Sequence, residues 1–400
     1  MEFSFSPELL DLKERTRKFI DDIVIPAEKR MPAHADEGFE LRDELQFAAK
    51  QAGVFAPHIP RAYGGLGLNW RDCSVIFEEA GRSLLGPQAL NCAAPDEGNM
   101  HMLEKIASPA QKEKYLRPLA QGDIRSSFSM TEPFGAGADP NLLKTYAEYR
   151  DGKWIINGRK WFITGAFGAK FTICMARVAT EADRKTADGR KASGAAMFLV
   201  DADNPGFRVV RKLDTLDFSW PGGHAEVAFV NCEVGEDAVL GQVGEGFEYA
   251  QVRLGPARLT HCMRWLGAAR RAMEYAVKYA STRESFGKTL SEHQAVQFMV
   301  ADSEIEMHAA RLIIWHAAYL LDQGDKARHE TSMAKVFVAE TVNRVIDRAV
   351  QISGSHGISK DAPLAFLFSE HRAFRIYDGP SEVHRMSIGR RVFRRAQSAK

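Results

Sequence analysis

The sequence predicts a mainly α-helical protein with a small β-domain set between two helical ones, and three observations carry this. The stretch from residue 7 to about 125 reads as helices, with start and stop signals between them. From about 126 to 235 the pattern turns to period two, rich in β-branched and aromatic residues. After the Gly241–Phe247 cluster the three-and-four apolar spacing of helices takes over and holds to the end. The divisions fall at 1–125, 126–238 and 239–400, and 400 residues give length for about two or three domains.

Composition excludes several classes. With 45% hydrophobic and 26% charged residues the chain is ordinary globular material, and a net charge of +1 offers no field for nucleic acid. No apolar run reaches membrane-spanning length, and the start lacks a basic region followed by an apolar core, so a cytoplasmic location is expected, or an organellar one after removal of a leader. Five scattered cysteines without a C-x-x-C pair argue against zinc and against a disulfide framework, and no metal is expected.

Along the first domain, Ser108-Pro109-Ala110-Gln111 is a capping box with proline at the first helical position, and Gly122 follows the helix it opens. Pro57–Gly67 is too rich in proline and glycine for a regular element, and it lacks the spacing of a phosphate-binding loop. In the middle domain Asp151-Gly152 and Asn157-Gly158 read as hairpin turns around Lys153–Ile156, with strands at 171–175, 196–200 and 225–229. Thr180–Ser193, dense in charge, reads as a solvated loop. In the last domain Leu266, Ala269, Met273, Ala276 and Ala280 form one apolar face, and Val338, Val342, Val345, Ala349 and Ile352 form another; long antiparallel helices of this kind pack as a bundle. The glycines at 241–246 lack βαβ surroundings, which argues against a nicotinamide site. The basic ending Arg390–Arg395 complements a helix dipole.

One stretch stands out chemically: Arg375-Ile376-Tyr377-Asp378-Gly379-Pro380-Ser381-Glu382 places a carboxylate in a Gly-Pro turn before the last helix, read as Ser381 through Arg391. Apolar neighbours such as Ile376 and Tyr377 are expected to strip water from Asp378 and raise its proton affinity, as a base for a weakly acidic C–H requires. The alternative is a helix-capping aspartate.

Four separated segments, Ser127–Pro133, Ile156–Thr164, Arg283–Lys288 with His293-Gln294, and Tyr377–Glu382, resemble the acyl-CoA dehydrogenase family in their order and separations. The resemblance runs from about Phe5 to Phe393 and is nearest to the branch of the larger multidomain mammalian members and their bacterial relatives. It implies an N-terminal helical domain, a middle β-barrel, a C-terminal four-helix bundle and FAD as cofactor. Phe128, Ser129, Met130 and Thr131 are similar to the strand that binds the flavin ring, with the Thr131 hydroxyl at its N5/O4 edge, and Phe162 and Thr164 match positions flanking the isoalloxazine. Arg283, Ser285, Phe286, His293 and Gln294 match the grip on the diphosphate and adenine half. Together with Gln351, Gly354 and Ser355 they would reach the flavin of a neighbouring subunit, so a homo-oligomer, dimer or tetramer, is implied.

The reaction implied is α,β-dehydrogenation of an acyl-CoA, with Asp378 taking the α-proton and an electron-transfer flavoprotein as acceptor. Gly379 would let substrate approach the backbone, Tyr377 would wall the site, and Arg258, in Gly255-Pro256-Ala257-Arg258, matches the arginine that supports the catalytic segment and borders the substrate. Several positions depart from the family pattern. Aspartate replaces the usual glutamate, Phe162 the usual tryptophan, and Ala138 the serine that meets the thioester ligand. Pro380 and Glu382 replace threonine and glutamine at the FAD contact, and Ala257 occupies the alternative position for a base and cannot serve as one. Two other readings are a flavin oxidase of small acidic C–H substrates, as in nitroalkane oxidases, and a non-catalytic protein binding FAD or a CoA ligand.

Overall fold

A computed structural model describes residues 4–178 and 194–398, and the segment Thr180–Ser193 lies outside the described residues. The principal N-terminal helices are α1 (Pro7–Phe19), α2 (Phe39–Gln51), α3 (Trp70–Ala80) and α4 (Asp96–Ile106), with short helical turns between them. The capping box at Ser108 forms reciprocally, at 3.2 Å from Gln111 N to Ser108 Oγ and 3.0 Å from Ser108 N to Gln111 Oε1. Its helix passes through a π-type turn at Lys112–Leu116 and stops at Gly122, φ +81°. Gln111 also donates to the Asp237 and Val239 carbonyls at 2.8 and 2.9 Å, so one side chain caps a helix and fastens the first domain to the second.

The second domain is one sheet of β1 (Ser126–Ser129), β2 (Tyr146–Arg150), β3 (Lys153–Thr164), β4 (Phe171–Val178), β5 (Ala195–Asp201), β6 (Phe207–Lys212), β7 (His224–Val234) and β8 (Val239–Gly244). Neighbours run β6-β7-β3-β2-β4-β5-β8, and β1 pairs in parallel with β4. Phe207 of β6 and Val239 of β8, from opposite ends of that order, pack on one core with Ile156, Cys174, Phe198 and Phe229, so the sheet curls around its own interior.

The turn expected at Asn157-Gly158 does not form. Asp151-Gly152 does turn the chain, but β3 continues through Asn157-Gly158 with a bulge against β7. There Asn157 Oδ1 accepts the Asn231 amide at 2.8 Å, and a Cβ on Gly158 would lie 2.3 Å from Thr145 Oγ1. The pair marks a close approach of strands, which a dipeptide read in isolation cannot distinguish from a hairpin.

The third domain contains α5 (Gly246–Ala280), α6 (Gln294–Asp322), α7 (Arg328–Ser353), α8 (Leu364–Arg372) and α9 (Ser381–Ser398), the last extending beyond the expected Arg391. Both expected apolar faces are buried: Leu266, Ala269, Met273, Ala276 and Ala280 on α5, and Val338, Val342, Val345, Ala349 and Ile352 on α7. The first and third domains share one core. Their closest approach is where α3 crosses α5: a Cβ on Gly267 would lie 1.9 Å from the Glu78 carbonyl oxygen, and one on Gly81 would lie 1.6 Å from that of Arg264. Around this contact Arg270 pairs with Glu78 at 3.0 Å and Arg311 of α6 pairs with the same carboxylate at 2.8 Å.

Gly267→Ala forces these helices apart and is expected to cost about 1–3 kcal/mol, as overpacking does. Scanning fluorimetry should show a lowered melting temperature, whereas Gly255→Ala, with nothing within 4 Å of its added Cβ, pays only the change in helix propensity. An unchanged melting temperature for Gly267→Ala would remove this contact from the domain junction.

Candidate active site

Asp378 occupies the turn between the 3-10 segment Ala373–Arg375 and α9, with φ +53°, followed by Gly379 at φ +97°. A left-handed aspartate costs about 1–2 kcal/mol, and the turn is held by donors to its main chain. Arg258 Nε and His384 Nε2 both donate to the Asp378 carbonyl, at 2.9 and 3.1 Å. Lys335, fully buried on α7, donates to the Phe374 carbonyl at 2.6 Å. Burial, followed by the Arg258 charge, pushes His384 down to about 4, so it stays neutral with its hydrogen on Nε2. Gly379 has a structural cause apart from substrate approach, because a Cβ there would lie 2.7 Å from His384 Nε2.

The Asp378 carboxylate caps no helix: no backbone N–H of the described residues donates to it, and its close contact is His261. Oδ2 is buried and lies 3.0 Å from His261 Nδ1, an ion contact whose angles fail as a hydrogen bond, because the His261 hydrogen suits the Ala257 carbonyl at 2.8 Å. Burial pushes the carboxyl up, as expected, but the charge of His261 and its close polar contact, then the charges of Arg253 and Arg258, outweigh it and hold Asp378 well below the usual carboxylate range. The expectation of a raised proton affinity is therefore corrected for the free protein. Ile376, expected to desolvate the carboxylate, is 59% exposed, whereas α5 brings three basic side chains to it. Tyr377 does line this region: its hydroxyl accepts from Trp265 Nε1 at 2.5 Å and its ring lies 5.0 Å from that of His261. Ala257 is buried, and Pro256 interrupts the hydrogen bonding of α5 one turn before His261.

Arg253 joins this turn to β1. Its guanidinium lies 4.1 Å from the Phe128 ring and donates from Nε to Asn99 Oδ1 at 2.7 Å, while Asn99 Nδ2 donates to Ser126 Oγ at 2.8 Å. Ser129 is buried, with its hydroxyl bonded to that of Thr172 at 2.7 Å, so only its backbone is available to a ligand. The next residues sit on a buried ion pair: Lys160 Nζ donates to the Met130 carbonyl and to Glu132 Oε1, both at 3.0 Å. The Thr131 carbonyl accepts from Trp161 N at 3.0 Å, which brings Phe162 and Thr164 beside the Phe128–Thr131 segment. Phe162 has φ +51° and leaves 47% of its surface exposed. Thr164 Oγ1 lies 2.9 Å from His224 Nδ1, and His224 Nε2 lies 2.8 Å from Asp217 Oδ2.

Of the remaining predicted residues Pro380 stays in the turn, its carbonyl accepting from His384 N at 3.1 Å, while the residues of the two outlying segments have no hydrogen bond, ion pair or ring contact among the described residues linking them to this group. Arg283, Ser285 and Phe286 lie on a hairpin before α6; Arg283 has no polar side-chain partner among the described residues, and Phe286 is 96% exposed at φ +54°. His293 reaches back to the Ser285 carbonyl at 3.1 Å, and Gln294 is exposed. Gln351, Gly354 and Ser355 are exposed at the end of α7, beside the buried, unpartnered Ser353 hydroxyl. Ala138, Pro380 and Glu382 contribute no polar side-chain contact to the Asp378 turn, and Glu382 is 80% exposed. The donor set fits FAD: an open aromatic face, a Thr131 hydroxyl and an Arg283 guanidinium without side-chain partners among the described residues, and a bare aromatic beside that arginine on an outlying hairpin. A cleft of about 710 Å³ between Lys114, Asp201, Glu236 and neighbouring residues contains none of the predicted residues, and its acidic wall does not suit a diphosphate.

His261, Arg253, His224, Asp217 and the Lys160–Glu132 pair were not found from the sequence. His261 had a faint signal in its three-residue spacing from Arg258 on one helix, while the others depend on contacts between distant segments. Among the described residues no group of three or more metal-ligating side chains occurs, and no helix is long and apolar enough to cross a membrane.

Comparison with known proteins finds three domains of one family along the chain. Residues 6–123, 127–232 and 244–393 match the models for the N-terminal, middle and C-terminal domains of acyl-CoA dehydrogenases. "Probable acyl-CoA dehydrogenase FadE2" of Mycobacterium tuberculosis is 38% identical over 408 residues, covering 100% of this chain and 98% of that protein. "Acyl-CoA dehydrogenase family member 10" of Mus musculus is 36% identical over 96% of this chain, which spans only 37% of that longer protein. The solved butyryl-CoA dehydrogenase of Megasphaera elsdenii superposes with a TM-score of 0.87 at 27% identity, covering 98% of this chain and 100% of that one.

Glu370 of α8 holds the loop before β7 by accepting the Phe218 amide at 2.7 Å and the Ser219 amide at 3.2 Å. Burial and then the Asp217 charge push its carboxyl up from the ordinary 4.5 to about 7. A carboxyl raised by folding leaves stability intact below its unfolded value and loses it as pH climbs through the folded value. The melting temperature is therefore expected to fall between about pH 5 and 7.5, and Glu370→Gln, which keeps an acceptor, should flatten that fall. Parallel pH profiles for the two proteins would contradict it.

Proposed function

The chain belongs to the acyl-CoA dehydrogenase family, and we propose that it oxidises an acyl-CoA thioester to the 2-enoyl-CoA with Asp378 as base and FAD as cofactor. The observation that carries this reading is the Asp378 turn. Its main chain is fixed by Arg258 and His384, no backbone N–H of the described residues caps its carboxylate, and with His261 as the close contact at 3.0 Å lone pairs stay available for a proton.

Asp378 takes the α-proton of a thioester lying against Tyr377 and Gly379. The shorter aspartate requires the α-carbon close to the turn, within about 3 Å of the carboxylate. His261, Arg253 and Arg258 keep the free carboxylate ionised, and an acyl chain that covers the remaining 17% of its surface strengthens the opposing effect of burial. Base strength thus rises when substrate is in place. Bound FAD supplies the hydride acceptor. Thr131, Phe162 and Thr164 hold its ring, with the backbone of Phe128–Met130 at one edge, and Lys160 fixes that backbone from below. Arg283, Phe286 and Gln294 of one copy, with Gln351, Gly354 and Ser355, serve the FAD of a neighbouring copy, which would cover the bare Phe286 ring. An electron-transfer flavoprotein accepts the electrons.

With FAD-loaded protein under anaerobic conditions, at least one acyl-CoA in a chain-length panel is expected to bleach the flavin band. Asp378→Asn should retain FAD and slow bleaching roughly 10²–10⁴-fold. Full rate in that variant would sink the base assignment. Silence towards all thioesters, with oxygen uptake on nitroalkanes, would establish the oxidase reading in its place.

His261→Gln removes a charge that holds Asp378 down, so the acid limb of the bleaching rate should move to higher pH. A superimposable pH profile would show that His261 does not act on the base.

A further inference from the structure

Thr164 and His224 are directly paired residues of β3 and β7, so their side chains meet on one face of the sheet. His224 is held from behind by Asp217, both side chains being 12% exposed, and the Asp217 loop is fixed in turn by Glu370 of α8 through the Phe218 and Ser219 amides. Hydrogen-bond direction follows from the donor inventory. The burial of Asp217 raises its carboxyl, but the hydrogen bond from His224 prevails and lowers it, so Asp217 is an ionised group that only accepts. A neutral His224 must then carry its hydrogen on Nε2, which leaves Nδ1 as a bare acceptor. The Thr164 hydroxyl must donate to Nδ1 at 2.9 Å, and its oxygen keeps only lone pairs for anything on its other side.

We propose that Asp217 and His224 are positioning residues that lock Thr164 as an acceptor towards the flavin, favouring the reduced ring. This rests on the reading above that Thr164 flanks the isoalloxazine, and it assigns the N5 position to the Thr164 hydroxyl in place of Thr131. An oxidised flavin offers lone pairs along its nitrogen edge, and its reduced form carries an N–H at N5. An acceptor-only hydroxyl pairs with the second and cannot donate to the first. The device sits outside the Asp378 turn and concerns only the electron-receiving half of the reaction.

The test uses the full FAD-loaded chain labelled with ¹⁵N-histidine, at a pH well above the ordinary histidine value of about 6.5. The His224 resonances, assigned by their loss in His224→Gln, should report a hydrogen on Nε2 and a bare Nδ1. Asp217→Asn supplies an amide that can donate to Nε2, and the ring hydrogen should move to Nδ1. The flavin midpoint potential should then fall in Asp217→Asn and in Thr164→Val, each by about tenfold in the oxidised-to-reduced ratio, ~30 mV for a two-electron couple. Asp217→Asn should add nothing once Thr164→Val is present, which a merely structural role would not produce. A wild-type His224 carrying its hydrogen on Nδ1, or on both nitrogens, overturns the proposal. So does a potential that Asp217→Asn shifts equally with and without Thr164. Should the chain fail to retain FAD, the proposed function fails by that result, while the histidine spectrum still decides the hydrogen-bond direction.

Discussion

The site depends on one main-chain carbonyl. Asp378 O accepts from Arg258 of α5 and His384 of α9, and Lys335 of α7 holds the Phe374 carbonyl just before it. Three helices thus spend buried donors on a turn whose two left-handed residues would not persist unaided. A buried lysine without a carboxylate partner is costly, and here two carbonyls and the Phe374 ring take its charge. What this arrangement preserves is a carboxylate with its own lone pairs free.

Charge is used on both sides of the site as scaffold. Behind the Phe128–Thr131 segment, Lys160 and Glu132 are buried, and Glu132 also receives the Lys144 and Thr145 amides at 2.7 and 2.8 Å, so the loop returning from this segment is fixed by one ion pair. On the other side, Arg253 touches Phe128 and feels Asp378, placing one buried cation between β1 and the Asp378 carboxylate. Burial favours a protonated Asp378 and the cations favour an ionised one, and the cations prevail in the free chain. Under the proposed function, a bound thioester shifts this balance by deepening burial without removing a charge.

The fold class was legible because it rests on periodicity, which is local. The α5 and α7 faces named from spacing are buried, and the capping box at Ser108 forms as written. Asn157-Gly158 misled because the same two residues suit a hairpin turn and a bulge, and Thr145, which requires the glycine, comes from the segment just before β2. Asp378 could be singled out as the candidate base because a carboxylate in a Gly-Pro turn is a local pattern, and the structure does place it in a turn before α9.

Its electrostatic state was not legible, since Arg253 and His261 reach it from more than a hundred residues away, and neighbours in sequence such as Ile376 point elsewhere. His224 and Asp217 were invisible for the same reason, one being a cross-strand partner and the other lying on a loop fixed by α8. The sequence by itself determined the order of helical, β and helical domains and the residue types available to the chemistry. The tertiary structure alone decided which basic groups surround Asp378 and which way the hydrogen bonds run, because charge and hydrogen bonding act through space between segments that the chain keeps far apart.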